Sequence, residues 1–99
     1  MLEVEKLFSS SGRIKVMGIV LDSNELNISE ITRRSGISHS AVSAHLDFLV
    51  KAGLLTEKRF NRIRIFRVNR SNPHTEVLQR FMSDWRSLEA PRTAGIGFN

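Results

Sequence analysis

Three stretches of this chain carry apolar residues in helical patterns, and no two of the patterns are alike. Residues 13–21, RIKVMGIVL, spread Ile14, Val16, Met17, Ile19, Val20 and Leu21 around most of a helix circumference. A helix of that kind is expected to be buried on more than one side, and in a domain this small the second side reads as a subunit interface. Farther along, Val42, Leu46 and Leu49 recur at i, i+4 and i+7, a core-facing stripe. Ser40, Ala44, Asp47 and Lys51 fall on the opposite side, with Ser43 at the border. The third pattern, Val77, Leu78, Phe81, Met82, Trp85 and Leu88, lines one face of a helix that Asn72-Pro73 starts and that ends near Glu89. Residues 90–99, APRTAGIGFN, have no period and read as a loose tail.

Local punctuation divides the middle of the chain. Ser29 is placed to cap a helix that stops at Gly36, and Ser38 to cap a second that stops at Gly53. Only Ile37 lies between Gly36 and Ser38, so the two helices must fold back sharply, as in a helix-turn-helix. Leu54-Leu55 then opens a hairpin with Asn61 as its turn residue, since Asn tolerates left-handed backbone angles. Glu25-Leu26-Asn27 reads as a short strand that pairs with this hairpin. The pattern predicts a mostly α domain with a small β-hairpin over residues 1–89: a three-helix core, a wing and a C-terminal dimerisation helix. That is a winged helix-turn-helix, whose usual partner is duplex DNA.

Charge strengthens the expectation through its placement more than its size. The chain of 99 residues carries a formal +5, and arginine outnumbers lysine eleven to four. Arginine is the better residue for bidentate phosphate and guanine contacts. Lys58, Arg59, Arg62, Arg64, Arg67 and Arg70 follow one another with no acid between them. With a two-residue loop centred on Asn61-Arg62, Arg59 lies opposite Arg64. Facing like charges destabilise a hairpin unless something negative sits between them, and a DNA phosphate fills that role; the alternative is an ordinary solvated strand face.

Other chemistry is poorly provided for. There is no cysteine, which removes disulfides, thiolate metal sites and cysteine nucleophiles together. There is no tyrosine, no Gly-rich phosphate loop and no pairing of acids with histidines that suggests a catalytic cluster. His74 and Glu76 stand two apart on a helix and do not face each other. His45, on the inner flank of its helix, reads as a packing or phosphate-contacting residue, and His39 as a base or phosphate donor or a solvated first-turn histidine. Neither an enzyme, a cofactor nor a metal is expected. The longest apolar run near the N-terminus, Ile19-Val20-Leu21, is too short to span a bilayer, and Glu3 and Glu5 sit where a secretory signal needs positive charge. A cytoplasmic, single-domain protein is expected.

The segment SHSAVSAHLDFLVKAGLL, residues 38–55, resembles the recognition helix of the ArsR-type winged-helix repressors. The positions that carry the resemblance are Ser38, Ser40, Val42, Ser43, His45, Leu46, Ala52, Gly53 and Leu54. With the wing Arg59–Val68 and the last helix, it extends over residues 10–88. The resemblance implies that His39, Ser40, Ser43 and Ala44 approach base edges while the wing follows the backbone or minor groove. Two positions depart from the pattern. Ala44 replaces a longer polar residue, keeping contact with a thymine methyl but no hydrogen bond. Asp47 replaces a Lys or Arg and would repel phosphate if it pointed at the backbone. The cysteines and His/carboxylate pairs with which many such proteins sense metals are missing.

These features lead to an expected homodimeric, sequence-specific regulator that binds double-stranded DNA. Ser38, His39, Ser40, Ser43, Ala44 and His45 form its reading helix; Arg33, Arg34, Lys58, Arg59, Arg62 and Arg64 supply phosphate contacts. Ile14, Met17, Leu21, Leu78, Phe81, Trp85 and Leu88 are expected at the dimer seam. The short polar residues of the reading face leave two alternatives open: a protein-interaction module on the same fold, and a non-specific chromatin-type binder. Steep salt-dependent DNA affinity separates the first alternative, and a preferred sequence the second.

Overall fold

The computed structural model describes residues 2–89 as five helices and three strands. A short helix α1 (Val4–Leu7) precedes α2 (Ser11–Ser23), β1 (Glu25–Asn27), α3 (Ile28–Ser35) and α4 (His39–Lys51). Strands β2 (Leu55–Phe60) and β3 (Ile63–Val68) form the hairpin, and α5 (Pro73–Glu89) closes the order. The strands make one antiparallel sheet in the order β1-β3-β2. The tail expected over residues 90–99 lies outside the described residues.

The caps explain why the helices begin and end where they do. Ser10 Oγ accepts from the Arg13 amide at 3.2 Å and starts α2. Asn27, not Ser29, caps α3, with its Oδ1 accepting from Glu30 N–H at 2.8 Å. The cap moves because β1 delivers Asn27 with an extended backbone and Ile28 must already be helical to reach the core. Ser38 Oγ accepts from Ala41 N–H at 3.3 Å and caps α4 as expected. Past the end of α4, Gly53 takes φ +82°, Leu54 N–H returns to Leu49 O and Gly53 N–H to Val50 O, a Schellman closure. Asn72 accepts from His74 N–H at the start of α5, and both Asn69 and Asn72 donate side-chain N–H to Gly53 O. The end of α4 and the start of α5 are thereby stitched together.

One hydrophobic cluster joins Val16, Met17, Val20 and Leu21 of α2 with Ile31, Val42, Leu46, Leu49, Phe66, Leu78 and Met82. The sides of α2 are covered from within the chain, by α3, α4, α5 and the sheet. An added Cβ at Gly18 would stand 2.9 Å from Met82 Cε and 2.5 Å from Arg86 Nη2, so α5 lies directly on α2. This corrects the expectation that Met17 and Leu21 of α2 face a partner. Met17, Leu21 and Leu78 are buried in the chain's own core and have little or no surface to offer at a seam. Helix α1, for which the sequence had no periodic signal, buries Leu7 and sets Phe8 edge-on to Phe81 at 6.0 Å.

Gly36 ends α3 at φ +69° in open space, so only backbone conformation opposes a side chain there. Gly36→Ala is expected to lower stability by about 1 kcal/mol, the usual cost of a left-handed non-glycine residue. Urea denaturation checks it, and an unchanged midpoint would mean that the turn relaxes to another conformation.

Candidate nucleic-acid interface

The outer face of α4 presents His39, Ser40 and Ala44 to solvent, with Ser43 half-buried at its edge. The face is short and polar because Val42, Leu46 and Leu49 take every inward position of the helix. His45 is turned the other way. Its Nε2 would stand 2.8 Å from a Cβ at Gly12 on α2, so the missing side chain of that glycine admits the ring. Burial, helped by the charge of Arg13, pushes the His45 pKa down and favours its neutral form. Arg13 itself stacks on Phe48 at 3.7 Å and donates to Ser9 Oγ. Of the two roles expected for His45, its surroundings match packing.

The wing is fastened to α4 by a single guanidinium. Arg64 donates from Nε to Glu57 Oε2 at 2.7 Å, from Nη2 to Asp47 Oδ1 at 2.8 Å and from Nη1 to Ser43 Oγ at 2.9 Å. It also lies over the Phe66 ring at 5.0 Å. With three acceptors in place its side chain is 17% exposed. Side chains alternate along a strand, so Glu57, Arg59 and Arg64 share the sheet face turned to α4. The register pairs Arg59 with Arg64, as the two-residue turn requires, and Asn61 takes φ +59° in that turn.

The anion between these two arginines is Glu57, which is 3.5 Å from Arg59 Nε and 2.7 Å from Arg64 Nε. The pairing therefore needs no external phosphate, contrary to the sequence expectation. Glu57 sits one position before the run of bases and escaped notice for that reason; its same-face spacing, two residues before Arg59, was the available signal. Asp47 also finds its explanation here. It is an ion-pair partner of Arg64 at 2.8 Å.

Free cations remain around this centre. Lys58 and Arg62 have no ion-pair partner among the described residues, and Arg59 is largely exposed. On α3, Arg33 and Arg34 share Glu30, with Arg34 also donating to Ser23 Oγ at 2.9 Å. Hydrogen bonds from Arg33, then Arg34, hold the Glu30 carboxyl down at about 2. Arg67 pairs with Glu25, and Arg70 reaches Asn24. The outer face of the wing tip holds two residues that the charge reading passed over, Phe60 and Ile63, both exposed.

A second, apolar surface lies elsewhere on the chain. Phe81, Trp85 and Leu88 on α5 stay exposed beside Val77, Phe8 and Val4, and Ile14 is partly buried against the core. A groove of about 330 Å³ runs between α1 and α5, lined by Leu7, Phe8, Leu54, Val77, Leu78 and Phe81. Among the described residues no helix is long and apolar enough to cross a membrane, and no three His, Asp or Glu residues group as metal ligands.

The Glu57 carboxyl is held below its ordinary value chiefly by its hydrogen bond to Arg64. A depressed folded-state pKa contributes stability that is complete above the ordinary 4.5 and lost as pH falls through the folded value. In Arg64→Leu, the Glu57 midpoint is expected to move up and this part of the acid-side loss to disappear. Carboxyl NMR titration of both proteins checks the direction; an unmoved Glu57 midpoint counts against the hub.

Residues 10–57 match the family model described as bacterial regulatory protein, arsR family. Among curated proteins none matches the sequence. HlyU from Vibrio cholerae superposes with a TM-score of 0.71 at 22% identity, over 83% of this chain and 86% of that one. AF1382 from Archaeoglobus fulgidus gives 0.68 at 18% identity, over 90% and 100%. The homodimeric winged helix-turn-helix DNA-binding domain of Mb0332 from Mycobacterium bovis gives 0.67 at 18%, over 85% and 75%. At these identities the structural likeness shows the fold, and the family match adds the helix-turn-helix sequence itself. The chain thus has the winged helix-turn-helix fold, and residues 10–57, which hold its helix-turn-helix, match the arsR-family model.

Proposed function

We propose that this chain regulates transcription by binding a specific double-stranded DNA sequence as a homodimer. The observation that carries the reading is the Arg64 bridge, which holds the wing against the one exposed polar face of α4. Helix and wing then meet a duplex as one rigid unit. Helix α4 enters the major groove with His39, Ser40, Ser43 and Ala44 toward base edges. Ser43 accepts from Arg64, which leaves its own O–H free to donate to a purine N7, guanine O6 or thymine O4. Lys58, Arg59 and Arg62 on the wing, with Arg33 and Arg34, supply phosphate contacts that set position and much of the affinity.

Two features support the dimer. Trp85 is 58% and Leu88 70% exposed, in a continuous apolar surface with Phe81, Val77 and Phe8, and contiguous patches of this kind mark interaction sites. The Mycobacterium bovis neighbour is described as homodimeric. A two-fold pair closes the patch on itself and presents two reading helices to a palindrome. Of the seam residues expected from sequence, Ile14, Phe81, Trp85 and Leu88 retain surface for this role.

Selection from a random DNA pool tests the whole reading, with an enriched palindromic site as the expected result. No enriched sequence together with salt-independent affinity would sink it. On the recovered site, Arg62→Ala is expected to flatten the log–log salt dependence by about one unit, as the loss of one phosphate contact does. An unchanged slope removes the wing tip from the phosphate surface.

Trp85→Glu puts a carboxylate where the dimer seam excludes water, at a cost of several kcal/mol. The variant is expected to be folded, monomeric and weakly DNA-binding, because Trp85 contributes little to the monomer core. Sedimentation equilibrium at tens of micromolar, about the range in which weak dimers still form, checks both proteins. A parent that stays monomeric there overturns the dimer.

A further inference from the structure

Phe60 and Ile63 form the last cross-strand pair before the Asn61-Arg62 turn. They stand on the sheet face opposite Glu57, Arg59 and Arg64. Phe60 is 65% and Ile63 48% exposed. Neither belongs to the core cluster or packs against it, and Phe60 stacks on no other ring among the described residues. The fold therefore makes no use of this pair, and phosphate contact does not need it. Its surroundings narrow the partner. Lys58, Arg59 and Arg62 flank it, all exposed, so the matching surface is apolar at its centre and anionic on both sides. A minor groove takes this form where one base step opens, with base faces in the middle and a phosphate wall on each side. Arg64, in the pair next to Phe60–Ile63, fixes the direction, since it holds the wing close to its tip against Ser43 and Asp47 of α4. The tip must then meet the same duplex, just beyond the bases that α4 reaches.

We propose that Phe60, backed by Ile63, is an apolar wedge that enters the minor groove beside each half-site, partly unstacks one base step and bends the DNA. This rests on the DNA-binding reading and adds to it a contact that reads deformability. Two strands about 4.8 Å apart, with their side chains, exceed a groove about 6 Å wide, so entry requires the groove to open. Apolar side chains that enter a minor groove open it by unstacking a step and kinking the duplex toward the major groove. Pyrimidine–purine steps yield most readily. The wedge thus adds a preference for such a step at a position where α4 makes no base contact.

The test uses the full chain and the duplex recovered by selection. 2-Aminopurine is placed at each flanking step in turn, and a fluorophore pair at the two ends. The parent is expected to raise 2-aminopurine fluorescence severalfold at one flanking step and to shorten the end-to-end distance. Phe60→Ala is expected to return both signals to near those of free duplex and weaken binding roughly tenfold, the scale of losing one aromatic–base contact. Its salt slope should equal the parent's, because the cations are untouched. Phe60→Leu, which keeps an apolar wedge, should retain the bend. Selection with Phe60→Ala should keep the half-site consensus and lose the flanking step. If the parent binds its selected site with every flanking base stacked and the duplex straight, the wedge is wrong while DNA binding stands. A Phe60→Ala protein with the parent's bend and fluorescence has the same meaning and assigns the tip to another partner. If the parent selects no DNA, the underlying reading fails and the wedge falls with it.

Discussion

Burial of α2 between α4 on one side and α3, α5 and the sheet on the others decides where the remaining elements lie. Val16, Met17 and Val20 have no exposed surface. Each such side chain contributes about 1.5–3 kcal/mol when removed from water, a large share of the marginal stability of a small domain. The glycine at position 18 lets α5 rest against the helix, with Arg86 reaching across to Asp22 at 3.2 Å. Because the stripe Val42-Leu46-Leu49 is committed to this core, the orientation of α4 is fixed. Its outward residues His39, Ser40 and Ala44 have only solvent, or a groove, to face.

The wing depends on a different interaction. A hairpin that leaves the core after Leu55 and returns to it at Phe66 has little apolar reason to hold its tip at one angle against α4, and the Arg64 guanidinium supplies that reason with directed hydrogen bonds to Ser43 and Asp47. Arg64 and Arg59 are balanced by Glu57 and Asp47, so the centre of the surface is close to neutral. Uncompensated charge sits at its margins, on Lys58 and Arg62. Such an arrangement suits a surface in which position is set by phosphates at the edges and discrimination by short polar groups in the middle.

Much of this was legible in the sequence because it depends on neighbours along the chain. The stops at Gly36 and Gly53, the Ser38 cap, the left-handed Asn61, the Pro73 start and the strand at Glu25–Asn27 are each set by one or two adjacent residues. The same holds for the facing of Arg59 and Arg64, which a two-residue turn imposes. Periodicity likewise marked which face of α4 is buried. It marked equally well that α2 is apolar nearly all round.

What period and charge run cannot specify is which partner a face meets. Met17, Leu21 and Leu78 carry the apolar signature of an interface, yet the core takes them, because α5 folds back over Gly18 and fills the side that a second subunit was expected to cover. Arg64 looks along the chain like one more phosphate ligand. It becomes an internal tether because the tertiary fold brings Ser43 and Asp47, 21 and 17 residues away, to within hydrogen-bond reach. Sequence by itself determined the elements, their ends and the basic character of the wing, through local backbone chemistry. Only the tertiary structure decided which of those basic and apolar residues are already engaged within the chain, because burial and charge pairing are properties of groups that meet in space.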